Sequence, residues 1–165
     1  MRSLLLLLFL LPVSLIAQNK LAYVNADEVF SKMPELKEVE TKLATKSEAI
    51  KKNMETMEAE FNSKAKEYEA LSKENVTESV AASKQKELQD LQTRYNTFIR
   101  NSQQEMDNER NALLAPLEQK MMKAIKEVGD ENGYTFIFNS TAILHVGTDA
   151  HDASPLIKNK LGITN

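Results

Sequence analysis

The chain has 165 residues, of which 27% are charged and 6% aromatic, and its formal net charge is −3. It contains no Cys, which excludes a disulfide scaffold, a thiolate zinc site and a cysteine nucleophile, and its two His residues argue against most His-based catalysis. Four Gly and four Pro interrupt a chain otherwise rich in helix-forming residues, a composition typical of long helices rather than of a compact enzyme.

The first 17 residues have the pattern of a secretory signal peptide. Met1 and Arg2 give a short positive region, residues 3–16 are almost entirely apolar, and Ala17 offers a small residue for cleavage. A short membrane anchor is the alternative, but this stretch is shorter than the ~20 residues that a spanning helix needs. No Cys follows it, so a lipoprotein anchor is excluded. We therefore expect an exported chain that is acidic, which argues against a dedicated nucleic-acid binder.

A short strand and a short helix are predicted next. Residues 20–25 contain two β-forming side chains and predict strand 1. Asn25 or Asp27 can cap a helix over residues 26–33. Pro34 then fits the first turn of a new helix, because its missing N–H would be unpaired there in any case.

Two long amphipathic helices follow, and we predict that they pair as an antiparallel coiled-coil hairpin. Residues 35–71 contain neither Gly nor Pro and carry apolar residues at heptad spacing, and a second apolar stripe runs from about 80 to 131. The polar segment 72–79 is the predicted turn. At 1.5 Å per residue the first helix would be about 55 Å long. A small domain cannot bury that length, so most of the pair should project.

The chain is therefore predicted to have a discontinuous body and an inserted hairpin. The β-rich body comprises residues 18–33 and 115–165, and the hairpin comprises residues 34–114, with its tip near 72–79. Pro116 is expected to kink the second helix or to divide it near the body.

The pattern changes period after Gly133. Residues 134–139 and 142–146 are two runs of β-formers, which we predict to pair as a β-hairpin through a turn at 139–141. A last short helix is predicted from about 152 to 161. The fold class is α+β, with the helical hairpin inserted between strands 1 and 2. Three short strands are too few for a stable sheet with covered edges, so oligomerisation is expected.

Sequence motifs at the two ends of the mature chain carry a family resemblance. They are KLAYVN at residues 20–25, VFSKMPE at 29–35, NGYTFIF at 132–138, IL at 143–144, the loop 149–152, SPLI at 154–157 and LGI at 161–163. In this layout the chain resembles the Skp/OmpH family of periplasmic chaperones. The resemblance implies a periplasmic homotrimer whose strands form a central body and whose three hairpins surround a cavity. It also implies an ATP-independent holdase that binds unfolded outer-membrane proteins there and prevents their aggregation.

The resemblance and the pattern together nominate two sets of residues. The trimer-body candidates on the strands are Tyr23, Val24, Phe136, Phe138 and Leu144. The client-contact candidates on the first helix of the hairpin are Met54, Phe61, Tyr68, Lys51 and Lys52. The apolar members of the second set can equally be seam residues of the hairpin, and the two lysines can equally belong to a solvated face.

The net charge of this chain is negative, whereas the best-known member of the family is strongly basic. The acidic balance here weakens any expectation of charge attraction to acidic clients or to lipopolysaccharide. No lipopolysaccharide site is assigned, and membrane contact is expected to be indirect only.

Neither a catalytic centre nor a metal site is predicted. His145 and His151, with Asp149 and Asp152, suggest a metal site at first sight, but two His six residues apart in mixed strand and loop do not set tetrahedral geometry. No phosphate loop or nucleophile–base arrangement can be made out, so we expect no enzyme and no cofactor. The alternative function is a structural or scaffolding coiled coil of the cell envelope.

Overall fold

The computed structural model describes residues 20–71 and 77–163. In chain order the elements are β1 (Leu21–Val24), α1 (Ala26–Ser31), α2 (Leu36–Leu71), α3 (Glu78–Asn132), β2 (Phe136–Asn139), a 3-10 turn (Ser140–Ala142), β3 (His151–Asp152) and α4 (Ser154–Lys160). The predicted α+β class is confirmed, with a pair of long helices between the first two strands. The predicted signal peptide at 1–17 and residues 72–76 of the predicted tip lie outside the described residues.

The sheet has three parallel strands in the order β2-β1-β3. Leu21 pairs with Phe136 and Tyr23 with Phe138 in the Cα register of β1 and β2. Parallel neighbours cannot be joined by a tight turn and need a long crossover, which the two long helices provide here. The central strand is therefore completed on both sides by residues from the far end of the chain.

The predicted β-hairpin of residues 134–139 and 142–146 is wrong. Residues 142–146 form no strand within this chain, and the third strand lies instead at His151–Asp152. The side-chain oxygen of Asn139 accepts a hydrogen bond from the Thr141 amide at 3.3 Å and starts a 3-10 turn. β3 is parallel to β1 and lies on the opposite side of it from β2. The segment after the 3-10 turn must therefore carry the chain back to the end of the sheet at which the strands begin.

The core lies on one face of the sheet, beneath α1, α4 and the C-terminal part of α3. Its buried members are Ala22, Val24, Val29, Met33, Ala124, Val128, Ala153, Ile157 and Leu161. Side chains alternate between the two faces of a strand, so Ala22 and Val24 point into this core while Leu21 and Tyr23 point to the other face.

Particular residues set two of the helix boundaries, whereas Pro34 lies before α2, which begins at Leu36, and not in its first turn as predicted. The side chain of Asn25, one of the two predicted caps, accepts a hydrogen bond from the Glu28 amide at 3.0 Å and so caps α1. Gly133 takes a left-handed conformation with φ of 67° and ends α3, and its N–H bonds to the carbonyl of Gly129. A side chain is strained in that conformation, which explains a glycine at this point.

Pro116 does not divide α3, which runs unbroken from Glu78 to Asn132. Proline removes one backbone hydrogen bond from a helix, but the flanking residues are held by contacts with the rest of the fold. Leu117 packs against the core, and Lys120 forms an ion pair with Glu35, just before α2. These contacts fix the helix on the C-terminal side of the proline.

Ion pairs and a hydrogen bond connect α2 and α3 along the seam, which is the contact line between these two helices. From the body outwards the cross-helix pairs are Lys46 with Glu109 (3.2 Å) and Glu105 (2.9 Å), Glu58 with the Tyr95 hydroxyl (2.5 Å), Glu60 with Arg94 (3.9 Å), and Lys64 with Glu87 (3.3 Å). Partner numbers fall along α3 as they rise along α2, so the two helices run in opposite directions.

Few residues of the seam are fully buried within the described part of the hairpin. Val39, Leu91 and Ser102 are the hairpin residues of α2 and α3 that are buried there, and one of them is polar. Lys46 is the most enclosed of the bridging lysines, since its side chain is 23% exposed. Hydrogen bonding to Glu105, and then to Glu109, raises the pKa of Lys46. The ionic contacts therefore help to fix the alignment of the two helices.

No helix in the described residues is both long enough and apolar enough to cross a membrane.

Glu28 of α1 pairs with Lys32 at the end of its own helix and with Lys158 of α4, which links the two helices. Its carboxylate accepts hydrogen bonds from Lys158 at 2.7 Å and from Lys32 at 2.8 Å. Hydrogen bonding to Lys158, and secondarily to Lys32, lowers the pKa of Glu28 to about 2 from an ordinary value of 4.5. The folded state therefore holds the carboxylate ionised at a pH where the unfolded chain takes up a proton.

Replacing this carboxylate should reduce stability in a pH-dependent way. A depressed folded-state pKa contributes stability that is fully present above pH 4.5 and is lost as the pH falls towards about 2. We expect Glu28→Gln to lower the urea midpoint of unfolding at neutral pH, by an amount that shrinks over that acidic interval. The matched control is Glu38→Gln, which removes an exposed pair within α2. An E28Q deficit that is the same at neutral pH and near pH 2 would contradict the assignment.

Removing the enclosed lysine of the seam should loosen the hairpin locally. In Lys46→Gln, Glu105 and Glu109 lose their shared cation, so amide exchange near residue 46 and residues 105–109 should rise about two- to fivefold at low salt. The difference from wild type should shrink in about 1 M NaCl, where charges are screened.

Lys51→Gln is the matched control for this experiment. Its lysine pairs only loosely, at 3.9 Å, with Glu55 of the same helix. Equal changes in the K46Q and K51Q variants would show that the cross-helix contact has no special role.

Candidate functional site

The face of the sheet opposite the core carries large apolar side chains that this chain leaves uncovered. The Cα register sets Leu21 beside Phe136 and Tyr23 beside Phe138, so these four side chains share one face, called here the outer face. Phe136 is 54% and Phe138 48% exposed, and their ring centroids lie 6.0 Å apart. A contiguous apolar surface of this kind marks an interaction site more often than free surface.

A groove of about 1040 Å³ adjoins the outer face. Its walls are residues 20–23, Phe138 and the returning segment, residues 142–147 and 149–151. Leu144 in this segment is fully exposed, and Val146 is 42% exposed. This β-forming stretch has no strand partner among the described residues, so its apolar side chains and backbone groups are available to another molecule.

Four of the five predicted trimer-body residues lie together at this place. Tyr23, Phe138 and Leu144 line the groove, and Phe136 stands next to Phe138 on the outer face. Val24 differs, because it is 3% exposed and packs into the core of its own chain. Leu21 and Val146 belong to the same surface but are not among the predicted residues. Leu21 can be recognised from the alternation of side chains along β1, and Val146 from the β-forming run after the 3-10 turn.

The rim of the groove is polar and holds both histidines. The Lys20 ammonium lies 4.6 Å from the centre of the Tyr134 ring and donates a hydrogen bond to the Asn132 carbonyl at 3.1 Å. The His151 ring lies 5.9 Å from that of Tyr134. The expected positions of the histidines are reversed, since His145 lies outside any strand and His151 lies in β3. Within residues 20–71 and 77–163, no group of three or more His, Cys, Asp or Glu has the arrangement of a metal site.

The client-contact candidates all lie on α2 but differ in burial. Met54, Phe61 and Tyr68 are half-buried, as seam residues would be, whereas Lys51 and Lys52 are exposed. The structure does not gather them into one cavity. They form a row along about 18 residues of the helix.

Two depressions in the middle of the hairpin share Met57 in their linings. The first, of about 240 Å³, is lined by Met57, Glu58, Phe61, Asn62, Gln92 and Tyr95. The second, of about 450 Å³, is lined by Met57, Thr93, Arg94, Thr97, Phe98 and Asn101. Of the predicted client contacts, only Phe61 lines either depression. Met57 and Phe98 line the depressions but are not among the predicted client contacts. Their spacing in the sequence assigns them to the seam, so it does not indicate that they reach the surface.

The chain and its fold are similar to those of known proteins. The family model described as "Outer membrane protein (OmpH-like)" matches residues 20–161, while no curated protein matches the chain in sequence. A candidate outer membrane chaperone (OmpH-like) from Caulobacter crescentus CB15 has the same fold, with a TM-score of 0.76 over 88% of this chain and 85% of that one, at 14% identity. Because the family model spans nearly all of the described residues, the chain belongs to the OmpH-like family of outer membrane proteins.

Proposed function

We propose that this protein is a periplasmic holdase chaperone, which as a homotrimer binds unfolded outer-membrane proteins between its helical hairpins without ATP or a cofactor. The single observation that carries the proposal is a hairpin far longer than its body can bury, joined to a body with an uncovered apolar face. Family membership supports it, as does the fold shared with the candidate chaperone from Caulobacter crescentus.

The contact between copies is assigned to the outer face and the groove. Helices cover one face of the sheet only, and the exposed aromatic side chains of the other face gain from burial. In the proposed trimer a neighbouring copy covers Phe136 and Phe138, and the segment around Leu144 packs into the groove of the next copy. Tyr23 takes part from the floor of the groove, whereas Val24 supports the sheet from inside.

Clients are assigned to the hairpin, which in this proposal spans residues 34–114 and projects from a body of residues 18–33 and 115–165. The depressions beside Met57 combine apolar floors with amide and hydroxyl groups on their rims. Thioether side chains adapt to varied partners, and the polar groups can pair with a client backbone. Met54, Phe61 and Tyr68 extend this surface, with Lys51 and Lys52 on the solvated side. Many weak contacts of this kind hold a chain without selecting its sequence.

Location follows from the predicted signal peptide. The proposal places the mature protein in the periplasm after cleavage near Ala17. Unfolded β-barrel proteins cross this compartment, and their exposed apolar surfaces are the chemistry that the hairpin fits.

Aggregation suppression tests the function directly. Light scattering of a diluted, urea-unfolded outer-membrane β-barrel protein should fall to baseline at about one trimer per client, with no nucleotide present. If scattering is unchanged at a several-fold excess of trimer, the holdase proposal fails. A single folded partner, bound at constant stoichiometry, would then favour the alternative of an envelope scaffold.

A charge on the outer face tests the assembly. Phe136 is half exposed in the single chain, so Phe136→Asp should leave the monomer folded but bury a charge in the contact between copies. We expect this variant, and Tyr23→Asp, to sediment as monomers with suppression reduced about tenfold or more. The matched control is Lys51→Ala on the exposed face of α2, which should remain trimeric. Intact trimers of both strand variants would contradict the assigned contact.

A further inference from the structure

The smaller depression of the hairpin combines an apolar wall with a polar rim. Met57 and Phe61 lie one helical turn apart and so share a face of α2, and Tyr95 contributes a second aromatic ring from α3. All three side chains are half-buried, so each keeps part of its surface open to solvent. Together they form a wall against which an apolar or aromatic group can pack.

A hydrogen bond between the two helices holds this wall in place. The Tyr95 hydroxyl donates to a carboxylate oxygen of Glu58 at 2.5 Å. Because this bond crosses the seam, it fixes the Tyr95 ring relative to α2. A surface that is ordered before binding loses less conformational entropy when a ligand arrives. A ligand therefore meets a wall that is already in position.

The volume of the smaller depression suits one aromatic ring. It measures about 240 Å³, and a protein cavity of about 150 Å³ is enough to hold benzene. The remaining space is available for a polar substituent or a second fused ring. Thioethers such as that of Met57 make favourable contacts with aromatic rings, and Phe61 and Tyr95 can make ring–ring contacts. An aliphatic side chain would fill part of the space without gaining these contacts.

The rim of the smaller depression offers several hydrogen-bond acceptors. The Glu58 carboxylate has room for more hydrogen bonds than the one it accepts from Tyr95. The Gln92 amide nitrogen donates to the Asn96 side-chain oxygen at 3.3 Å, and the Gln92 carbonyl oxygen can accept from another donor. The side chain of Asn62 adds a further carbonyl. These oxygens favour an aromatic side chain that carries a donor, as Tyr and Trp do and Phe does not.

We propose that the smaller depression binds a Tyr or Trp side chain of an unfolded outer-membrane protein, with the ring against Met57 and Phe61 and its O–H or N–H bonded to the rim. The inference rests on the proposed function and names the part of the client that the hairpin recognises. Tyr and Trp are enriched at both membrane interfaces, and transmembrane β-barrels carry girdles of aromatic residues there. A pocket for one such side chain recognises this class of client in any order of sequence.

Methyl NMR of the full mature protein, isotopically labelled at its methionine methyl groups, tests the site. A ring seated beside Met57 shifts the resonance of its methyl group through the ring current, and Met57→Leu identifies that resonance. Met122 is 60% exposed and reports non-specific contact with the probe, whereas Met33 is 2% exposed and reports loss of the core. The probes are N-acetyltyrosinamide, N-acetylphenylalaninamide and N-acetylleucinamide.

The tyrosine amide should shift the Met57 resonance saturably, with half-saturation at about 1 mM, while Met122 and Met33 move little. The phenylalanine amide lacks the donor and should bind about threefold to tenfold more weakly. The leucine amide should give no saturable shift. Equal affinity for the tyrosine amide and either other probe, or equal shifts at Met57 and Met122, would overturn the proposal.

Filling the smaller depression from its rim tests the location. Gln92 is exposed, so Gln92→Phe should place a ring in the depression without disturbing the core, and should abolish the saturable shift. The matched control is Gln85→Phe, because Gln85 is also exposed, lies one heptad earlier on α3 and is not in the lining. Circular dichroism and the Met33 resonance check the fold of both variants. Equal binding of N-acetyltyrosinamide by Q92F and Q85F would overturn the assignment to this depression.

Light scattering with an unfolded outer-membrane β-barrel protein separates this inference from the proposed function. The Q92F variant should need about twofold to fivefold more protein than Q85F for the same suppression, because one of many contacts is lost. Wild-type protein that suppresses aggregation but does not bind N-acetyltyrosinamide would overturn the pocket and leave the holdase standing. Wild-type protein that binds this amide but does not suppress aggregation would overturn the holdase and, with it, the assignment of the pocket to a client.

Discussion

The fold depends on one constraint, the parallel pairing of β1 with strands that come more than 110 residues later in the chain. Leu21 is set beside Phe136, and Ala22 beside His151, so β1 is complete only when both are in place. Everything between β1 and β2 is a crossover that must leave the sheet and return to the same end. Two long helices that run in opposite directions meet this requirement, so the hairpin is the connection that parallel pairing of β1 and β2 needs.

The sequence predicts the hairpin well and the sheet poorly, for a physical reason. Heptad spacing over residues 35–71 and the cap at Asn25 are local signals, and both correspond to the observed helices. The direction and partner of a short strand are set by distant packing, so the β-forming run at 142–146 predicts a hairpin, whereas the third strand lies at 151–152. The sequence nevertheless points to Tyr23, Phe136 and Phe138 on the outer face and to Leu144 in the groove, because aromatic and apolar residues in β-forming runs are conspicuous. It points to Val24 as well, because β-propensity does not reveal which face of the sheet a residue occupies.

The hairpin and the outer face of the sheet expose different kinds of side chain. Along the hairpin, charged and half-buried side chains share the contact between helices, and the apolar residues keep partial access to solvent. On the sheet, aromatic side chains are concentrated on one face and only a rim of charge surrounds them. The hairpin surface therefore mixes charged and half-buried apolar groups, whereas the outer face of the sheet presents mainly exposed apolar side chains.

The distance between paired strands also determines the order in which the molecule can fold. Contacts between α2 and α3 join residues that become closer in sequence towards Leu71 and Glu78, so this end of the hairpin can form first and the rest can follow quickly. The body cannot close until α4 is available, because Ile157 and Leu161 complete the core against β1 and α1. A nascent chain emerging from its N-terminus would therefore carry a finished hairpin before it has a finished body.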